Sequence, residues 1–180
     1  MSRRYDLGRR AEKMAETRRR IVDATLGLHS EVGPAATTIS AIAERAGVSR
    51  PTVYSQFPDD RSLFSACGAR FNELHPFPSL EGDTGTVLRT LYRHYTANRG
   101  MLSHVDRDAR AIPALAEVMG PVWAYLDAAA ERLGEGNASR RALLRVAVEL
   151  GTWQRLDAEG LSPGRAAVLM ARAVACAGRR

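Results

Sequence analysis

Apolar residues three and four positions apart recur along nearly the whole chain, and no stretch shows the strict alternation of a half-buried strand. Residues 9–32 are rich in helix formers, with Ile21, Thr25, Leu28 and Val32 on one stripe. Gly33-Pro34 ends that pattern, and Thr38 is placed to cap a second helix over residues 39–46, with Ile39, Ile42, Ala43 and Ala46 inward. Gly47 turns the chain. Ser49 can then cap a short third helix that tolerates Pro51 in its first turn and stops near Phe57-Pro58. Asp59 or Asp60 can cap a fourth helix, residues 61–74, with Leu63, Phe64, Cys67 and Phe71 on its inner face.

His75-Pro76-Phe77-Pro78 and the stretch to Gly85 make the best domain boundary, dividing residues 1–75 from 76–180. Beyond it the pattern predicts helices near 84–98, 101–110, 113–133, 139–159 and 162–177. The expected fold is all-α: three to four short helices in an N-terminal helix-turn-helix domain, then a larger helical domain.

Composition narrows the class. The chain has 180 residues, 45% hydrophobic and 26% charged, a profile that folds without disulfide or metal. Its two cysteines, Cys67 and Cys176, sit in apolar helical patterns and read as reduced core residues. Arg3, Arg4, Arg9 and Arg10 are followed by no apolar segment, so neither a secretion signal nor a membrane span is expected, and the chain reads as cytoplasmic. The net charge of +6 is uneven: the first 20 residues hold eight Arg and Lys against three Asp and Glu. That excess points to an anionic partner at this end.

In the short third helix, Val48, Val53 and Phe57 can lock inward, leaving Arg50, Pro51, Thr52, Tyr54, Ser55 and Gln56 on the outer side. Guanidinium, hydroxyl and amide groups there can donate to phosphates and base edges in a major groove. The run TTISAIAERAGVSRPTVYSQFPDDRSLF, Thr37 to Phe64, resembles the DNA-binding domain of the TetR family of bacterial repressors. It carries the family pattern at Thr38, Ile42-Ala43, Ala46-Gly47-Val48-Ser49, Thr52-Val53-Tyr54, Phe57 and Leu63-Phe64. The resemblance covers about the first 70 residues, and beyond them only length and helical content agree.

The resemblance implies phosphate contacts from Thr38, Tyr54 and Gln56, and base or groove-edge contacts from Arg50, Pro51, Thr52 and Ser55, with Ser40 and Ser49 beside them. It places Arg18 to Arg20 near the DNA backbone, Arg18 and Arg20 included, and offers Arg3 to Arg10 as a basic arm. Where the family commonly has a phosphate-pairing Lys this chain has Asp60, so that contact is lost or passes to Arg61. The implied partners are a palindromic double-stranded DNA operator, an unknown small-molecule inducer and a second copy of the chain.

Leu88, Tyr92, Tyr95, Met101, His104, Met119, Trp123 and Trp153 are the candidate ligand-binding residues. Together they suit a small, largely apolar ligand with one or two polar groups; singly, each reads first as core packing. Apolar residues spread around most of residues 143–153 and 166–177, as on helices buried on more than one side, which fits a homodimer surface.

An enzyme is the competing class. The four histidines (His29, His75, His94, His104) form no metal-type pair, no Gly-rich loop follows a strand, and Asp106 and Asp108 face different sides of a helix. No catalytic residue, metal or cofactor is expected. A small-molecule binding or interaction protein without specific DNA activity is the third reading.

Overall fold

A computed structural model describes residues 2–177, with side chains from Gly8 onward. Among the described residues all regular structure is helical. The helices are α1 (Ser2–Glu31), α2 (Ile39–Ala46), α3 (Arg50–Gln56), α4 (Asp60–Leu74), α5 (Thr84–Ala97), α6 (Arg99–Ala109), α7 (Pro113–Leu133), α8 (Ala138–Val148), α9 (Leu150–Ala158) and α10 (Pro163–Ala177). A 3-10 turn, Pro34–Ala36, joins α1 to α2. No described helix is long and apolar enough to cross a membrane.

The chain forms two compact units, one running to His75 and taking in Arg107–Val118, the other holding Pro76–Asp106 and Met119 onward. The core of the first is built by Ile21, Val22 and Leu28 of α1, Ile42, Ala43 and Ala46 of α2, Val53 and Phe57 around α3, and Leu63 and Cys67 of α4. Burial pushes the Cys67 thiol up to about 12, with Asp23 adding to the effect, so it stays a protonated core group. Glu31 and Arg45 pair end to end at 2.7 and 2.8 Å and tie α1 to α2. Within the same unit the buried carboxylate of Asp108 accepts the Ala35 N–H at 2.9 Å, at the start of the 3-10 turn, and pairs with Arg107 at 2.6 Å.

In the second unit Leu88, Leu91, Tyr92 and Tyr95 of α5 pack with Val148 of α8, Trp153 of α9 and Ala166 and Ala167 of α10. Small residues on α10 let α5 lie close to it.

Several expectations are corrected. α1 begins at Ser2 and not near residue 9. Val32 follows the helix and is exposed, so it leaves the stripe of Ile21, Thr25 and Leu28. Cys176 is exposed. The single helix expected over 139–159 is two, because Glu149 takes an extended backbone (φ −66°, ψ 141°). The break takes from the carbonyls of Val146, Ala147 and Val148 the N–H groups of residues 150–152 that an unbroken helix would supply, leaving Val146 only the Glu149 N–H at 3.3 Å. Three hydroxyls close them instead: Thr152 at 2.6 Å, Tyr92 at 2.8 Å and Tyr95 at 2.7 Å.

Candidate nucleic-acid interface

The pair α2 and α3 is built locally. The Thr38 hydroxyl accepts the Ala41 N–H at 3.2 Å and caps α2. At the other end Gly47 takes the left-handed backbone (φ 63°, ψ 43°), which lets the Val48 N–H reach the Ala43 carbonyl at 2.9 Å. Ser49 caps α3 by accepting the Thr52 N–H at 3.3 Å. Val53 is fully buried and Phe57 nearly so, four residues apart on one face, which fixes the opposite face outward.

On that outer face Arg50, Pro51 and Ser55 are exposed, Tyr54 is 50% exposed, and Thr52 and Gln56 are half-buried. Arg50 and Tyr54 lie one turn apart, as do Pro51 and Ser55. Ser49 and Thr52 share a hydroxyl hydrogen bond of 2.8 Å, so one of their two protons remains for an external acceptor. Thr38 uses its oxygen as a cap and keeps its own O–H to donate. Ser40, one residue into α2, is exposed.

The basic groups divide. Arg50 is exposed and makes no ion pair among the described residues. Arg18 donates to the Gln56 carbonyl at 2.6 Å and lies 4.0 Å over the Phe57 ring; Arg20 donates to the carbonyls of Ala46 and, at 3.1 Å, Gly47. Arg61 forms an exposed pair with Glu117 at 3.3 Å, a contact weak enough to exchange for a phosphate. Beside it Asp59 caps α4, accepting the Ser62 N–H at 2.7 Å, and Asp60 occupies the first turn. Both carboxylates suit a helix N-terminus and repel phosphate. Of the basic arm, Arg9 and Arg10 are exposed on α1, while the side chains of Arg3 and Arg4 lie outside the described residues.

In the second unit, Leu88, Tyr92, Tyr95 and Trp153 share one core cluster. Met101 is buried apart from it, His104 and Met119 are half-buried, and Trp123 is 43% exposed on α7. Burial raises the Tyr92 and Tyr95 phenols well above their ordinary range. Their hydroxyls, the polar tips that suited a ligand, are bonded to the carbonyls at the α8–α9 break. Two structural groups escape sequence reasoning: Asp108, set aside as half of a poor acid–base pair, and Arg99, whose guanidinium lies 5.4 Å from the Trp153 ring. No local signal marks Asp108, because its partner Ala35 is 73 residues away.

The profile of the family described as bacterial regulatory proteins, tetR family, matches residues 21–67, the segment that carries α2 and α3. The HTH-type transcriptional repressor KstR of Mycolicibacterium smegmatis is 32% identical over 126 residues, 69% of this chain and 58% of that protein. The HTH-type transcriptional regulator AcrR of Shigella flexneri is 34% identical over 89 residues, 46% of this chain and 41% of that protein. The chain thus spans little more than half the length of the KstR repressors it matches. In fold it is similar to the multidrug binding protein EbrR complexed with imidazole, with a TM-score of 0.62 at 20% identity over 89% of this chain and 93% of that one. A transcriptional regulator of Rhodococcus sp. Rha1 gives 0.64 at 17% identity over 88% and 94%.

Proposed function

Because this chain belongs, through the segment 21–67, to the TetR family of bacterial regulatory proteins, we propose that it acts as a homodimeric, sequence-specific DNA-binding repressor. A small-molecule ligand releases it from a palindromic operator. The observation that carries this reading is α3, a two-turn helix pinned by Val53 and Phe57 while Arg50, Pro51, Tyr54 and Ser55 stay exposed. In a dimer, two such helices enter successive major grooves about 34–36 Å apart. Thr38, Tyr54, Gln56 and Arg61 hold phosphates, while Arg50, Pro51, Thr52 and Ser55, with Ser40 beside them, meet base edges and Ser49 sets the helix start.

Dimerisation is supported by the apolar residues that one copy leaves open: Val146 on α8 and Val168 and Leu169 on α10, each 44–48% exposed. Ligand release is supported by the likeness in fold to EbrR, whose structure holds imidazole. A ligand acts only if it favours a dimer whose recognition helices no longer fit successive grooves.

The test is fluorescence anisotropy with a labelled duplex that the wild-type protein enriches from a random-sequence library. Arg50→Ala and Tyr54→Ala should each weaken binding by about tenfold or more, and raised salt should weaken it further. Unchanged binding by both variants would show that the α3 face is not the recognition surface.

A further inference from the structure

α3 has seven residues, too few to stand as a helix in water by itself. Its orientation is therefore set from outside. Ser49 fixes one end and Val53 the buried side. At the other end Pro58 has no N–H to offer the Tyr54 carbonyl, and Gln56 supplies the last carbonyl of the helix.

Arg18 of α1 meets that end. Its Nη1 donates to the Gln56 carbonyl at 2.6 Å, and its planar group lies over Phe57, the buried residue just past the helix. The positive charge also opposes the negative end of the helix dipole. Two residues along α1, Arg20 closes the preceding junction by donating to the carbonyls of Ala46 and Gly47. Two neighbouring arginines on one helix thus hold the C-terminal ends of both α2 and α3 by their backbone carbonyls.

We propose that Arg18 and Arg20 are positioning residues for DNA recognition: they set the seat of α3 through the backbone and are not phosphate contacts. The inference rests on α3 being the recognition helix. It differs from a direct role because the side chains that meet base edges stand at the N-terminal part of such a helix, whereas Arg18 holds the opposite end. Loosening that end tilts Arg50 and Tyr54 together, so discrimination between sequences suffers most.

The experiment compares wild type, Arg18→Lys, Arg20→Lys and Arg18→Gln on the enriched duplex and on a scrambled duplex across a salt series. Lysine keeps the charge but cannot lie flat over Phe57 while capping the helix. The expected result for both lysine variants is a fall on the order of tenfold in the specific-to-scrambled affinity ratio. Arg18→Gln should lose the ratio likewise while its salt slope on scrambled DNA matches wild type. Amide exchange at Val53 and Tyr54 should quicken in Arg18→Lys, with Ile21 unchanged.

Two results overturn the inference: Arg18→Lys retaining the wild-type ratio, or Arg18→Gln losing about 0.9 of salt slope per phosphate contact with the ratio intact. The lysine variants keep the test decisive if Arg18→Gln does not fold. Failure of the wild-type protein to enrich any duplex would instead refute the recognition reading itself.

Discussion

Tyr95 donates its hydroxyl to the Val148 carbonyl across 2.7 Å, closing from α5 a backbone group that the bend at Glu149 leaves open. Both residues are buried, so no water replaces the bond when it is removed. Tyr95→Phe should therefore cost roughly 1–3 kcal/mol, and Tyr92→Phe, which opens Ala147, a similar amount. Urea denaturation measures both. A Tyr95→Phe protein as stable as wild type would mean that the hydroxyl does not hold the break and is available to a ligand.

His29 makes stability depend on pH. Burial lowers its pKa from 6.5 to about 4, against the opposing pull of Asp108. The folded state thus keeps His29 neutral where the unfolded state takes up a proton. Stability is undiminished above pH 6.5, falls as the pH drops toward 4, and levels off below it. The full loss is on the order of 3 kcal/mol. Denaturation at pH 7.5 and 5 should show the fall in wild type and a smaller one in His29→Gln; equal falls would assign the effect to other groups.

Gly47 is needed twice. Its φ of 63° disfavours any residue with a Cβ, and a Cβ there would stand 2.9 Å from the Arg20 Nη2. Gly136, at φ 75°, has nothing within 4 Å of such a Cβ. Gly136→Ala should cost about 1 kcal/mol from backbone strain alone. Gly47→Ala should cost more, about 2 kcal/mol, because the Arg20 guanidinium must also shift against the carbonyls it holds. Equal losses in the two variants would show that the Arg20 contact adds nothing.

The open apolar residues of α8 and α10 give a separate handle on assembly. If the proposed dimer closes over them, Val146→Lys combined with Leu169→Lys should make the protein sediment as a monomer where the wild type sediments as a dimer, because two charges would be buried unpaired. The same substitutions should leave the helical circular dichroism unchanged. A double variant that remains dimeric would place the interface elsewhere.

Much of this was legible in the chain because it is local. Thr38, Ser49 and Asp59 cap the helices that follow them, and Gly47 turns between two helices whose inner faces are spelled by residues three and four apart. Those signals act within a few residues, and the outward set from Arg50 to Gln56 follows from the inward pair Val53 and Phe57. The expected helix over 139–159 shows the limit: of the three hydroxyls that make the break at Glu149 tolerable only Thr152 is local, and the other two come from Tyr92 and Tyr95, more than 50 residues earlier.

The sequence by itself determined the helical class, the helix-turn-helix and which residues of α3 face outward, because periodicity, capping and turn chemistry are short-range. Only the tertiary structure decided what the long polar side chains do. Arg18 and Arg20 read as DNA contacts and hold backbone carbonyls; the tyrosine hydroxyls read as ligand groups and close a helix break; Asp108 read as idle and caps the turn before α2. A long side chain reaches several partners, and the fold decides which stand within reach; for the buried tyrosines, the cost of leaving a carbonyl without a donor then fixes the choice.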